Sequence, residues 1–361
     1  MIIPDSLEEL KNLVKLRIDQ KQKFRICGKG SRFVNELSSG SKFMSNDLIS
    51  SQKLNNKRFF DPEDLVVGFE SGITIREMFR ILSEKDMLLP ANPWFPDSCV
   101  GSMVACNDFG PNRMNMGGLR DCLIGIEYIN GNGDIVKAGG KVVKNVAGYD
   151  LTRMLLGSQG GLGVITSINF KVNPKPLEPR GMYGIFENEK WLLKVKEIHE
   201  RKIPLDWIQA TSTIDSKWIL GLGYSGNFYL RQRFEKEISK IFGKVLTRLS
   251  DEESFPEQKF TPGENRFNGF LKFFRDAWEI DNNDFHIFAT LPTEKMLKLS
   301  IDLLLKEDLK ILIHPIGGDI HLINKSCRRN EQIKLLAKIK SIINTSEIKL
   351  RWVSGSHKIS I

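Results

Sequence analysis

The glycine residues of this 361-residue chain are crowded into one short segment. Of the 30 glycines, 19 lie in residues 1–176, and 14 of those fall between Gly101 and Gly163. Glycine weakens regular helices and strands, and it is favoured where the backbone takes a positive φ or approaches another group closely. The segment therefore predicts tight turns, which serve either a compact fold of short strands or a bound ligand.

Hydrophobic periodicity predicts an irregular mixture of helices and strands around these glycines. Ser6 with Glu9 forms a capping-box pattern before the first helix. The predicted helices are 7–18, 75–82, 150–156, 231–242 and 296–306. The predicted strands are 24–27, 65–69, 123–130, 134–138 and 162–172, and 98–105 is interpreted as a small-residue loop. This order indicates an α+β fold rather than a simple doubly wound sheet.

A cluster of prolines predicts a boundary between two domains. Pro174, Pro176 and Pro179 interrupt the chain after the last glycine-rich strand. The boundary divides residues 1–176 from residues 177–361, and the second part is richer in long charged helices.

Charge and cysteine usage exclude several classes of protein. The net charge of +9 is spread over both halves, without a basic arm, which argues against nucleic-acid binding. The five cysteines contain no CxxC pair, as expected for reduced thiols. The N-terminus lacks a signal-peptide pattern, and no apolar stretch approaches the roughly 20 residues of a membrane span. These features predict a cytoplasmic protein without a transmembrane segment.

Two small-residue loops could approach a phosphate or a flat ring. Cys27-Gly28-Lys29-Gly30-Ser31 follows a predicted strand and can direct backbone N–H groups at an anion, although an ordinary tight turn accounts for it equally well. Its spacing matches neither the Walker loop nor GxGxxG. The loop that begins at Ser98 leads to Asn107 and Gly110, and its small side chains suit either a ligand or a buried turn.

Five segments together resemble the FAD-binding domain of the vanillyl-alcohol oxidase (PCMH-type) flavoproteins, and within that family the FAD-binding accessory subunits of bacterial glycolate oxidase. They are CGKGS, LVVGFESGITIREM, SCVGSMVACNDFGP, GGLRDCLIGIEYINGNGDIV and GGKVVKNVAGYDLTRMLLGSQGGLGVIT, within about residues 5–176. The resemblance implies a two-subdomain PCMH-type FAD-binding fold at 1–176. A smaller α+β cap domain at 177–361 would serve the substrate or a subunit interface.

The resemblance also implies a set of cofactor-binding residues, with the loops Gly28–Ser31 and Ser98–Ser102 holding the FAD pyrophosphate together. The set is Cys27, Gly28, Lys29, Gly30, Ser31, Ser98, Cys99, Val100, Gly101, Ser102, Asn107, Gly110, Arg120, Gly148, Tyr149, Gly163, Val164 and Ile165. An ion pair of Arg120 with Asp121 or Asp150 is an equal alternative for that residue. Lys29 and Ser102 stand where the family usually has glycine. No histidine occupies the flavin-linking position, so the FAD is expected to be non-covalent.

By resemblance, the chain is an FAD-dependent oxidoreductase of small 2-hydroxy acids such as glycolate or D-lactate. It would work beside a second flavoprotein subunit and an iron–sulfur subunit, and peripheral association with the inner membrane would occur through those partners. The alternative is a non-catalytic FAD-fold subunit that supports assembly, which the serine at position 102 favours.

The catalytic base is left unassigned, with Tyr149, His314 and His321 as candidates. The segment from His314 to His321 also has the residue types of a divalent-metal site. A turn followed by a strand explains the same residues, so no metal is predicted.

Overall fold

The computed structural model describes residues 1–30, 47–91, 96–110, 112–141, 150–212, 217–248, 285–290, 310–316, 318–324 and 349–354. The chain divides into two compact units, Met1–Lys175 and Pro176–Ile361. Each unit contains helices and sheets, which confirms the α+β prediction. The second unit is as long as the first, although the sequence predicts a smaller one.

The first unit is built on a five-stranded antiparallel sheet, with the strand order β3-β4-β8-β6-β7. Its helices are α1 (Leu7–Asp19), α2 (Ile75–Ser83), α3 (Val100–Cys106), α4 (Arg113–Met116), α5 (Leu119–Cys122) and α6 (Leu151–Leu155). Its strands are β1 (Arg25–Cys27), β2 (Leu48–Ser50), β3 (Lys57–Asp61), β4 (Val66–Glu70), β5 (Met87–Leu88), β6 (Leu123–Ile129), β7 (Ile135–Gly139), β8 (Val164–Lys171) and β9 (Asn173–Pro174). Strands β1 and β2 form a separate parallel pair, and β5 pairs with β9.

Two groups of buried side chains hold this unit together. The larger one packs α2 and α3 against the five-stranded sheet, with Met78, Val104 and Phe170 among its fully buried members. The smaller one packs Leu10 and Val14 of α1 against the other end of the sheet and the β1–β2 pair. Burial of apolar surface therefore places the turn after β1 and the start of α3 in one folded body.

Most of the predicted elements of this unit are confirmed. Ser6 caps α1 by accepting a hydrogen bond from the Glu9 backbone N–H at 3.2 Å. Asp150 caps α6 in the same way, accepting from the Arg153 N–H at 3.1 Å. Strands β6 and β7 form the predicted hairpin, in which Gly133 has a φ of 81° and Asn130 organises the turn.

The interpretation of residues 98–105 as a loop is wrong, because α3 begins at Val100. Val100, Met103 and Val104 lie on one side of this helix and are fully buried in the larger core group. Their spacing is that of an amphipathic helix. Gly101 and Ser102 obscure it, since both residue types are weak helix formers.

The second unit carries an eight-stranded antiparallel sheet, with the strand order β13-β10-β12-β11-β15-β16-β14-β17. Its strands are β10 (Arg180–Phe186), β11 (Trp207–Ser212), β12 (Trp218–Tyr224), β13 (Thr247–Arg248), β14 (Phe285–Thr290), β15 (Lys310–His314), β16 (Asp319–Asn324) and β17 (Lys349–Ser354). The described helices are α7 (Trp191–Glu200), α8 (Phe228–Phe242) and the 3₁₀ turn Gly243–Val245. The predicted helix at 296–306 lies outside the described residues.

The two faces of this sheet differ in chemistry. One face is apolar and packs against the helices, through the Trp191–Trp218 ring contact at 5.5 Å and the Phe186–Phe242 contact at 6.0 Å. Side chains alternate between the faces along each strand. The strand registers therefore put polar residues together on the opposite face, defined here as the polar sheet face: Gln209, Thr211, His314, Asp319 and His321.

Candidate functional site

The turn after β1 lies directly against the residue that precedes α3. A Cβ atom on Gly28 would stand 2.7 Å from both Cβ and Sγ of Cys99. The Lys29 backbone also hydrogen-bonds the Cys99 thiol. The glycine at position 28 is therefore required by a close approach, and that approach joins the two loops that the sequence assigned to one pyrophosphate.

A third segment, Ser71–Ile73, completes this cluster. The Val100 N–H donates to the Ile73 carbonyl at 2.9 Å, and the Gly101 N–H donates to the Ser71 carbonyl at 2.7 Å. A Cβ on Gly101 would lie 2.8 Å from the Ser71 Cβ. The first amides of α3 are thus engaged within the protein, which differs from the role of open phosphate donors that the loop interpretation gave them.

Ser71 and Gly72 are absent from the predicted site residues. The Ser71 side chain is fully buried, and its Oγ atom has no hydrogen-bond partner among the described residues. A Cβ on Gly72 would lie 2.2 Å from the Ser51 carbonyl oxygen. The Ser-Gly dipeptide at the end of β4 is a turn signal, and it lies in LVVGFESGITIREM, one of the five segments that carry the family resemblance.

Burial keeps the cysteines of this cluster protonated. Burial raises the pKa of the Cys27 thiol to about 11, and the neighbouring Cys99 acts in the same direction. Burial also raises the pKa of Cys99. Because the thiolate is the reactive form of cysteine, these two side chains are packing groups at neutral pH.

A second pair of predicted segments meets at the C-terminal end of α3. Asn107 ends the helix in the left-handed conformation, with a φ of 52°. The Gly157 and Gln159 N–H groups donate to the Val104 and Ala105 carbonyls at 3.1 and 2.8 Å. The loop that precedes β8 is therefore fixed to the end of α3 by backbone hydrogen bonds.

The remaining predicted residues are dispersed. Gly163 has a φ of 154° and lies against Tyr128, while Val164 and Ile165 contribute buried side chains to the two core groups. Gly110 is buried, and its carbonyl accepts from the Arg113 N–H at 3.2 Å. Ser31, Gly148 and Tyr149 lie outside the described residues.

Arg120 is exposed on α5 and has no ion pair with another described residue. The alternative pairing with Asp150 is not observed, because Asp150 contacts Arg153 at 3.1 Å. Asp121 instead accepts a hydrogen bond from the Gly118 N–H at 2.8 Å. Arg120 therefore keeps its charge available at the surface of the first unit.

The polar sheet face gathers the two histidines that the sequence singled out. His314 and His321 have ring centroids 5.9 Å apart, and they are 6% and 2% exposed. Gln209 is fully buried, and neither its amide oxygen nor its amide nitrogen has a partner among the described residues. In the described part of the chain, no three His, Cys, Asp or Glu side chains are arranged to hold a metal ion.

The sequence profile of a family described as an FAD binding domain matches residues 1–139. Glycolate oxidase subunit GlcE of Escherichia coli (strain K12) is 40% identical over 119 residues, covering 32% of this chain and 34% of the relative. Glycolate oxidase subunit GlcD of Bacillus subtilis (strain 168) is 36% identical over 129 residues, covering 36% and 27%. D-lactate dehydrogenase of Anaerostipes hadrus is 29% identical over 178 residues, covering 48% and 38%.

These matches are partial, because the aligned part spans 27% to 38% of the length of the three relatives. The solved structure of an alkyldihydroxyacetonephosphate synthase matches with a TM-score of 0.72 at 16% identity, covering 95% of this chain and 70% of that chain. At that identity the likeness concerns the fold alone, and it confirms the predicted PCMH-type fold. None of the described helices is long and apolar enough to cross a bilayer.

The residues of the first unit fit an FAD cofactor. The buried Ser71 hydroxyl has no hydrogen-bond partner among the described residues, and it lies beside the Gly28–Cys99 contact, where it can bind a ligand. Gly30 has a φ of 77°, and among the described residues a Cβ there would meet only the Met1 sulfur, at 4.0 Å, which leaves room for a ligand. Residues 1–139 are accordingly an FAD-binding domain of the PCMH type, and the cofactor of this chain is FAD.

Proposed function

We propose that this chain is an FAD-dependent oxidoreductase that acts on small 2-hydroxy acids. The observation that carries the proposal is the close contact of Gly28 with Cys99, which unites two loops of the FAD-binding domain in one cluster. The names of the relatives, glycolate oxidase subunits and D-lactate dehydrogenases, support this substrate class. When bound, FAD supplies the two-electron acceptor.

In this proposal, the first unit holds the cofactor mainly by its backbone. The loop Gly28–Ser31 presents the Lys29 ammonium and its backbone N–H groups to the diphosphate, except the N–H of Lys29, which hydrogen-bonds the Cys99 thiol. The Ser71 hydroxyl gives a further hydrogen bond. Val100 and Gly101 shape the site, because their N–H groups already donate to Ile73 and Ser71. Asn107, Gly110, Arg120, Gly148, Tyr149 and Gly163 line the rest of the cofactor.

The second unit offers side chains suited to substrate chemistry. A neutral imidazole can accept the proton of a substrate hydroxyl, and we assign this role to His321, with His314 beside it. The Gln209 amide can donate to a carboxylate, which would satisfy a buried group that lacks a partner among the described residues. His321→Gln should lower kcat without changing FAD content. His314→Gln is the control, and it should lower kcat less because His321 is the assigned base.

The cofactor and the activity are tested in one experiment. Purified chain, with and without added FAD, is examined by visible absorption spectroscopy before and after anaerobic addition of glycolate or D-lactate. The expected result is a flavin spectrum that is bleached by the substrate. Protein that stays colourless after FAD is added would contradict the cofactor assignment.

Ser71→Ala tests the buried hydroxyl separately. Loss of one hydrogen bond to the cofactor should weaken FAD binding by about 3- to 10-fold. Without FAD, thermal stability should rise slightly, because a buried hydroxyl with no partner among the described residues costs free energy. Ser239→Ala, at an exposed position of α8, is the matched control.

The second candidate is a non-catalytic subunit that binds FAD and supports assembly. It is favoured by the engaged amides of Val100 and Gly101, which reduce the number of donors available to a diphosphate. In either case, we propose a second flavoprotein subunit and an iron–sulfur subunit as partners, because two relatives are named as subunits. Flavin that is not reduced by 2-hydroxy acids, with or without co-expressed partners, would favour the assembly role.

A further inference from the structure

The solvent face of α8 carries a stripe of one aromatic and three cationic residues. Tyr229, Arg233, Lys236 and Lys240 follow the i, i+4, i+7, i+11 spacing of one helix face. The buried residues Phe234, Ile238 and Ile241 lie on the opposite side, so the stripe points away from the core of the second unit.

Apolar side chains cluster at the beginning of the same helix. Tyr229 is 80% exposed, Phe228 is 57% exposed and Leu230 is 42% exposed. Leu177, at 72%, belongs to the cluster because its carbonyl accepts a hydrogen bond from the Gly226 N–H at 2.9 Å, just before α8. The Phe228 and Tyr229 rings contact each other at 5.7 Å. Single exposed apolar residues are ordinary, but four at one end of a helix, two of them in contact, indicate an interaction site.

A groove of about 880 Å³ runs beside these residues and is strongly basic. Its cations are Arg180, Arg231, Arg233, Lys236, Lys240 and Arg248, and its carboxylates are Glu235 and Glu237. The carboxylates are paired with Arg248 and Lys240, and Arg231 pairs with Glu178. Among the described residues, no carboxylate lies within ion-pair distance of Arg233 or Lys236. Arg233 helps to lower the pKa of Glu237 from a longer distance, and both cations can still bind an anionic partner.

The combination of protruding apolar side chains and available cations fits the surface of an anionic bilayer. Aromatic and leucine side chains enter the region between headgroups and acyl chains, while lysine and arginine bind the headgroup phosphates. A nucleic acid or an acidic protein would use the cations, but neither requires Leu177 and Leu230 to be exposed. The observations therefore favour a lipid surface.

We propose that the basic–aromatic patch, defined as Leu177, Phe228, Tyr229, Leu230, Arg233 and Lys236, docks this protein directly on membranes that contain anionic phospholipid. The docking is reversible and peripheral. It needs no partner subunit, and it is independent of the proposed oxidoreductase activity.

Vesicle sedimentation with the full chain tests this proposal, using phosphatidylcholine vesicles with and without phosphatidylglycerol. Binding is expected only to the anionic vesicles, and it should weaken as salt rises because surface charges are screened. Each cation near an anionic surface contributes about fivefold in binding. Arg233→Gln combined with Lys236→Gln should therefore weaken binding by roughly 25-fold, and Phe228→Ser combined with Tyr229→Ser should weaken it at low and high salt alike.

Controls come from α7 of the same unit and its N-cap residue Lys190. Lys190→Gln combined with Lys196→Gln removes the same charge from exposed positions, although Lys196 is paired with Glu200 at 4.0 Å, and Leu193→Ser removes a side chain that is 71% exposed. Both should bind vesicles like the original chain, and circular dichroism should show all variants folded. Equal binding by patch and control variants would overturn the proposal. Binding to polyglutamate or DNA but not to anionic vesicles would also overturn it and assign the patch to another partner.

Discussion

The two units present polar groups to a ligand in different ways. In the first unit, the candidate site is made of turns that cross one another, and glycine at positions 28, 72 and 101 lets the backbones approach. In the second unit, the polar groups are side chains on one face of a sheet, with Gln209, His314 and His321 at its centre. Substitutions that add carbon atoms should therefore disrupt the first site most. Substitutions that replace one polar group by another should affect the second site most.

The strongest test of this contrast is Gly28→Ala. The added methyl group would overlap the Cβ and Sγ atoms of Cys99, at 2.7 Å, so overpacking should cost about 3 kcal/mol in the free energy of unfolding. Cys99→Gly in the same chain removes the overlapping atoms and should restore most of that loss. Denaturant unfolding monitored by circular dichroism gives both values.

The control for this substitution is Gly131→Ala, because no heavy atom of the described residues lies within 4 Å of a Cβ at position 131. Its effect should stay within about 0.5 kcal/mol, as for ordinary surface substitutions. If Gly28→Ala lowered the free energy of unfolding no more than Gly131→Ala does, the close approach of Gly28 to Cys99 would be contradicted.

Alkaline pH should weaken the first unit through its buried thiols. The pKa of Cys27 is raised to about 11 in the folded chain from an ordinary value of 9.0. A raised pKa of this kind contributes stability below pH 9 that is lost as the pH rises towards 11. The loss should be about 2 kcal/mol. It is measured as the difference between the original chain and Cys27→Ala across that range, and two parallel stability profiles would contradict the burial of this thiol.

In the second unit, Gln209→Leu should increase stability by about 1 kcal/mol while abolishing turnover of 2-hydroxy acids. The gain is expected because a buried amide without a hydrogen-bond partner costs free energy. Thr211→Val is the control on the same sheet face. The Thr211 hydroxyl donates to the Ser212 carbonyl at 3.4 Å, so its removal should lower the stability of the protein. A destabilised Gln209→Leu protein would show that the amide is already satisfied without substrate.

The smallest effects are expected at helix caps, where the two units should behave alike. Asp150→Ala in the first unit and Asn227→Ala in the second each remove a side-chain acceptor for a helix N–H, at 3.1 and 3.0 Å. Each should cost about 1 kcal/mol by thermal unfolding. Asp150→Asn should keep most of the capping energy. A large difference between the two alanine variants would indicate that one of the helices also depends on other contacts.

Local patterns made much of the first unit predictable from the sequence. Ser6 and Asp150 mark the starts of helices, and Gly131-Asn132-Gly133 marks the turn of the hairpin. Each of these signals depends only on residues nearby in the sequence. The contact of Gly28 with Cys99 joins residues far apart in the sequence, and only the family resemblance suggested it. Ser71 could not be found by its residue type, since serine is common in turns and its importance comes from burial.

The second unit was less predictable for a related reason. Its sheet pairs β11 with β15 across about a hundred residues, and no local signal specifies that register. Trp191, Trp207 and Trp218 are all buried. Gln209 lies near His314 only because of the register of β11 on β15. The sequence therefore identified the two histidines as candidates but not Gln209.

The alternation of faces in the eight-stranded sheet has a consequence for how this protein can change over evolution. Along β11 and β16, each residue that packs in the core is followed by one on the polar sheet face. Under the proposed function, in which this face binds the substrate, substitutions at positions 209, 211, 314 and 321 should therefore alter ligand preference while leaving the apolar layer intact. A combinatorial library restricted to these four positions should retain folded members, and it offers a direct route to new substrate specificity on an unchanged scaffold.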